Sequence, residues 1–165
     1  RSTSRRSRPR CGAKPLARRS PALFAWALCG TLDIVYAAVS SVVQGRTVSS
    51  MLHAVASGPF GDGAREWGIA GDMAGLATHY AIMGAMVAFW FAAVRQWPAI
   101  ARQPWWLAGT IYGFGLYLVM NAIVLPLRFG APFPPTDLVK GAVALFPHIF
   151  FIGWPLAWLT RKDAH

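Results

Sequence analysis

The stretch Ala22–Val43 reads ALFAWALCGTLDIVYAAVSSVV, and a single charged residue, Asp33, interrupts it. About 20 such residues in an α-helix cross the ~30 Å hydrocarbon core of a bilayer. Three further apolar stretches of matching length follow, Met73–Val94, Trp105–Leu125 and Val139–Leu159. Lipid offers no partner to a bare backbone N–H or C=O, so each stretch is predicted to be helical throughout its span. The expected fold is all-α: a four-helix transmembrane bundle in one domain, 21–162, behind a basic tail, 1–20.

Composition agrees. At 165 residues and 55% apolar content the chain is too apolar for an ordinary soluble domain and too short for a second membrane domain. The net charge of +10 does not mark a nucleic-acid binder, because Arg1, Arg5, Arg6, Arg8, Arg10, Lys14, Arg18 and Arg19 supply half of the sixteen Lys and Arg. That tail lacks acids and has few apolar side chains, so it is expected to be disordered. It reads as a lipid-attracted anchor, an organellar presequence, or sequence upstream of the true start. No nucleic-acid partner is expected, whereas membrane lipid is.

With the N-terminus in the cytosol, the tail, Arg95, Arg102, Arg161 and Lys162 lie inside, and Arg46, Arg65, Arg128 and Lys140 lie outside. The positive-inside bias therefore places both termini in the cytoplasm of an inner-membrane, multi-pass protein. Cys11 and Cys29 are separated by the start of the first span and are read as inert thiols. No Cys or His spacing matches a zinc site, and no glycine-rich phosphate loop occurs.

Between spans one and two, Val48, Met51, Leu52 and Val55 recur at helical spacing, which predicts a short interfacial helix over Thr47–Ser57, ended by Gly58-Pro59. A flexible glycine-rich approach then leads to Asp72 at the next helix start. The turn Arg95–Pro104 makes spans two and three antiparallel neighbours. Gly71 with Gly75, Ala81 with Ala85, Gly84 with Ala88, and Gly109 with Gly113 form small-xxx-small pairs, which make spans two and three the best candidates for tight packing. Trp90, Trp97, Trp105, Trp106, Trp154 and Trp158 are assigned to an aromatic belt.

A carboxylate at the middle of a span costs about 2.5–3.5 kcal/mol or more and calls for a partner. His148 in span four is the expected partner of Asp33, with His79 and Asn121 displaced toward the outer leaflet. On helical spacing Asp33 shares a face with Gly30, Ala37, Ser40 and Gln44; His79 with Gly75 and Met83; Asn121 with Gly109, Gly113 and Tyr117; and His148 with Gly141, Ala144 and Ile152. The candidate polar core is thus Asp33, His79, Asn121 and His148. Pro147 and Pro155 are expected to kink span four and free backbone carbonyls. His53 and His165 are expected to be exposed.

Such a cluster suits a proton relay or acid–base chemistry in the membrane, and equally a hydrogen-bonded core that fixes helix docking. Three functions remain open: a small transporter or proton-coupled permease, a membrane-embedded enzyme acting on lipid or quinone, and a non-catalytic assembly subunit. No metal site is assigned, and the cofactor is left unknown, since two histidines on separate helices are compatible with a heme or a metal. Four spans are few for a transport path, so a homo-oligomer is expected, a state that crosslinking in native membrane reports.

Taken together, Gly30-Thr31-Leu32-Asp33-Ile34, Ala56-Ser57-Gly58, the His79 helix, Tyr112-Gly113 through Met120-Asn121, Leu125-Pro126-Leu127, and His148 with Gly153 and Pro155 carry a resemblance. From Ala22 to Lys162 the chain resembles an uncharacterised family of small bacterial four-span inner-membrane proteins, distantly similar to the YagU-like proteins. The resemblance implies location and fold, and no activity. The chain departs from that pattern in His53, where relatives carry Gln, and in its longer basic tail.

Overall fold

The computed structural model describes residues 21–162, so the basic tail with Cys11 and the last three residues, His165 included, lie outside the described residues. Six helices follow in order: α1 (Pro21–Val43), α2 (Val48–Phe60), α3 (Ile69–Gln96), the single turn α4 (Ala99–Arg102), α5 (Trp105–Phe129) and α6 (Leu138–Arg161). Of these, α1, α3, α5 and α6 are long and apolar enough to cross a membrane. The architecture is an all-α four-helix bundle, as the apolar periodicity predicts. Large side chains such as Leu23, Val39, Phe89 and Ile111 stay more than half exposed on its outside, the surface that lipid covers.

Each helix runs past its apolar stretch, because polar and capping residues extend it. α1 ends in a Schellman motif: Gly45 turns at φ 74°, its N–H donates to Val42 O, and the Arg46 N–H donates to Ser41 O. Thr47 caps α2 by accepting from the Ser50 N–H at 3.0 Å. Contrary to the expected stop at Gly58-Pro59, α2 continues to Phe60 with Pro59 in its last turn. Gly61, at φ 83°, ends it and returns its N–H to Ser57 O. Arg128, at the end of α5, also donates to Ser57 O (3.2 and 2.6 Å) and to Gly58 O (3.0 Å), adding a second donor to the first carbonyl and supplying one to the other. The glycine-rich approach to α3 holds a 3₁₀ turn, Asp62–Glu66, in place of a flexible linker. Asp137 caps α6, accepting from the Val139 and Lys140 N–H groups.

The small-residue pairs do not join spans two and three to each other. Gly71 and Gly75 admit α2: a Cβ on Gly75 would strike the Leu52 backbone, and one on Gly71 would lie 2.7 Å from the His53 ring. Gly109 and Gly113 admit α6, where their neighbours are the backbones of Gly153, Trp154, His148 and Ile149. Between α3 and α5 the link is a side chain, Tyr112, which donates from its hydroxyl to Met86 O and packs on Trp90 at 4.9 Å. Trp90 is therefore a core residue and not part of the belt. Both spans are thus tightly packed at these glycines, each against another helix, because a small-xxx-small pair states that a close neighbour exists and leaves its identity open.

The packed core joins Ala25 and Cys29 of α1, Met83, Val87 and Trp90 of α3, Leu116 of α5, and Ile152, Leu156 and Ala157 of α6. All of these lie toward the face at which α1 begins and α6 ends. Beyond them the helices part, and α2 covers the first half of α3. Two π-helical stretches accompany the parting, Val119–Val124 ahead of Pro126, and His148–Gly153 between Pro147 and Pro155. A proline has no N–H and crowds the carbonyl four residues back, and a widened turn accommodates both defects.

The glycines give opposite predictions. Gly153→Val drives a side chain into the Gly109 carbonyl and is expected to destabilise the protein by roughly 3 kcal/mol or more. Gly115→Ala meets nothing within 4 Å and is expected to stabilise by about 0.5–1 kcal/mol. Thermal unfolding in detergent measures both.

Candidate functional site

Gly30 shapes the seam between α1 and α3. Without a Cβ there, the Tyr80 ring lies against the α1 backbone, where any side chain would meet it at 2.7 Å. The seam is then tied by polar bonds: Trp26 Nε1 donates to Tyr80 O at 2.7 Å, and Thr31 Oγ1 and Tyr80 Oη are 2.9 Å apart. It also bares the Gly30 carbonyl, which lies 2.9 Å from His79 Nε2. A carbonyl only accepts, so Nε2 carries the hydrogen. Nδ1 is thereby turned to Asp33, 3.9 Å from Oδ2. That separation is too long for a hydrogen bond and falls within ion-pair distance of the carboxylate.

The expected partner of Asp33 was His148; the residue at ion-pair distance is His79. His148 Nδ1 instead donates to Ala144 O at 2.8 Å, one turn back on α6. That bond fixes the tautomer and leaves the Nε2 lone pair available, while the ring stands edge-on to Tyr117 at 6.0 Å. Asn121 Nδ2 donates to Tyr117 O at 3.0 Å. Asn121 and His148 both lie in the π-helical stretches, a kind of distortion that recurs at functional sites.

Asp33, Asn121 and His148 line one cavity of about 640 Å³, and His79 backs it through Asp33. The walls come from the second half of α1, the π-helical part of α5 and the first half of α6. Val43, Gln44, Arg46, Val139 and Lys140 line the end nearest the end of α1, and Asp33 and His148 line the end nearest the packed core. Asp33 lies ten residues before the end of α1, hence ~15 Å from it at 1.5 Å rise per residue.

Two further residues complete the site. Pro147 cannot donate to Val143 O, and Tyr36 Oη does so at 2.9 Å from α1, bridging the parted helices. Ser41 Oγ lines the same cavity and, with Trp90 Nε1, is one of the two buried side-chain polar atoms without a hydrogen-bond partner among the described residues. Ser41 follows Asp33 and Ala37 at four-residue intervals, so the helical spacing that selects Ser40 and Gln44 selects it too. Tyr36 had no such signal, since its partner is a main-chain carbonyl.

His53 is not exposed as expected. It is half-buried between α2 and α3, with Nε2 2.8 Å from Gly68 O and 3.2 Å from Asp72 Oδ1, and Ser49 Oγ donates to the same carboxylate at 2.6 Å. Among the described residues no three of His, Cys, Asp and Glu gather as metal ligands, and both cavity-side histidines spend one nitrogen on a carbonyl. Cys29 is fully buried in the core, one helical turn before Asp33, and is not among the residues that line the cavity. Comparison with protein-family models, with curated proteins and with solved structures finds no match for the chain.

The Asp33–His79 pair separates two substitutions. His79→Ala strips the Gly30 carbonyl of its donor and leaves the carboxylate unpaired, and is expected to destabilise the protein by about 3–5 kcal/mol. Asp33→Asn keeps the shape, removes the buried charge and leaves the His79–Gly30 bond intact, so its folded yield and melting temperature are expected to match the parent's. Fluorescence-detected gel filtration and a thermal melt compare the two.

Proposed function

We propose that this is a proton-coupled permease for a small solute, set in a bacterial inner membrane with both termini in the cytoplasm and the cavity open to the outer side. One observation carries the reading: a protonatable pair, Asp33 with His79, lies at the core end of a cavity that runs toward the face where α1 ends. Intramembrane ionisable groups facing a cavity are the usual components of proton relays. A permease further needs a solute site at mid-depth and helices that can bend there. The His148 Nε2 lone pair supplies a hydrogen-bonding group for the solute, and the unpartnered Ser41 Oγ lies buried in the cavity wall. The interrupted helices α5 and α6 correspond to the broken helices from which transporters build their central sites.

Coupling follows from charge. A solute entering beside an ionised Asp33 meets an unshielded carboxylate in a medium of low dielectric, whereas uptake of one proton removes that field. Solute and proton therefore bind together, and the return step needs both to leave.

Reconstitution tests this. In vesicles that enclose a pH-sensitive dye, external addition of small solutes from a panel of carboxylic acids, amines and sugars is expected to acidify the lumen with at least one of them. Asp33→Asn is expected to abolish that acidification, a loss of at least about 100-fold in rate if the proton site is essential, at unchanged reconstitution. Equal acidification by Asp33→Asn and the parent would refute the coupling role.

A further inference from the structure

The five described acids are unevenly placed. Asp33 lies inside the bundle, and Asp62, Glu66, Asp72 and Asp137 all lie on the face where α1 ends. There they take up cations: Asp62 pairs with Arg65 and Arg128, Asp137 with Lys140, and Asp72 meets His53. The opposite face, where α3 ends and α5 begins, carries Arg95, Arg102 and Arg161. Among the described residues none of these three forms an ion pair.

Two of them share a pocket. Arg102 on α4 and Arg161 at the end of α6 line a recess of about 550 Å³ whose remaining walls are Ala101, Gln103, Pro104, Trp105 and Trp106. Its shape is fixed from behind, because Trp105 packs edge-on against Trp154 of α6 at 5.5 Å. Trp106 stays half exposed beside it. Trp at the start of a spanning helix sits at headgroup depth, so the recess faces the polar margin of the bilayer and not its hydrocarbon.

We propose that this recess binds an anionic phospholipid through its headgroup phosphate, with the guanidinium groups of Arg102 and Arg161 on the phosphate oxygens and the Trp105 and Trp106 rings beside the glycerol. Guanidinium forks match phosphate oxygens in geometry, and two positive charges that pair with no carboxylate among the described residues attract one negative headgroup. The recess is larger than one inorganic ion fills, and its indole wall suits the apolar end of a lipid. Basic pockets between spanning helices at this depth commonly hold such headgroups. The lipid would clamp α4, α5 and α6 together on the face opposite the cavity mouth.

The test uses the whole protein in neutral detergent, with phosphatidylglycerol, phosphatidylcholine or inorganic phosphate added, read by thermal melting and by lipid retention in native mass spectrometry. Phosphatidylglycerol is expected to raise the melting temperature and to be retained, and phosphatidylcholine to do neither. Arg102→Gln with Arg161→Gln is expected to weaken phosphatidylglycerol binding about 30-fold, a factor of about 5 per arginine at the membrane surface. Arg46→Gln, on the other face and equal in charge loss to either single variant, is expected to leave it unchanged. Both arginines are exposed, and should the double variant not fold, each single variant is expected to lose about 5-fold. Undiminished phosphatidylglycerol binding in the arginine variants, an equal loss in Arg46→Gln, or an equal stabilisation by inorganic phosphate would each overturn the assignment.

Discussion

Pro147 has no hydrogen to give to the carbonyl of Val143, and hydrocarbon supplies no substitute. An unsatisfied carbonyl at that depth costs several kcal/mol, more than most single packing contacts return, so a donor must come from elsewhere in the protein. Tyr36 provides it from across the gap. Around this bond α6 continues through a π-helical stretch, its first half stands away from α1, and the space between becomes the cavity. Below it, Gly109, Gly113 and Gly153 hold α5 and α6 at backbone contact, so the parting goes no further. The bundle is thus tight at one end and split at the other. The titratable residues lie at the fork.

The polar bonds follow the same rule of internal satisfaction. His79 spends Nε2 on Gly30 O, His148 spends Nδ1 on Ala144 O, and Asn121 spends its amide on Tyr117 O. Each ring or amide is held in one orientation by a backbone carbonyl, and what is left over faces Asp33 or the cavity. Arg128 does the same at the surface, where its guanidinium closes the end of α2 and fastens that helix over the first half of α3.

Much of this was readable beforehand, and the reason is physical. The bilayer sets both helix length and helix content, so the four apolar runs define the spans to within a few residues. Asp33 stands out because a carboxylate among so many apolar neighbours is costly, and spacing alone places Ala37, Ser40 and Gln44 beside it. What spacing does not carry is the pairing of helices. Gly71 and Gly75 announce a close approach, but only the folded chain reveals α2 as the visitor, and only the rotation of α3 decides that His79 reaches Asp33 ahead of His148. The same gap hid the role of Tyr36, whose partner is main chain, and misplaced Trp90, since a tryptophan near a span's end reads as interfacial whichever way it points.

The account rests on a cavity that admits water from one face as deep as Asp33 and is sealed beneath it. Thiol accessibility measures this directly, with single cysteines introduced at Ala37 on the cavity wall and at Val87 in the core, in a background that carries Cys11→Ala and Cys29→Ala, and a membrane-impermeant maleimide applied to one face at a time. The account predicts that Ala37→Cys reacts only from the face where α1 ends, and that Val87→Cys reacts from neither. Labelling of Val87→Cys, or an Ala37→Cys variant inert from both faces, would contradict it.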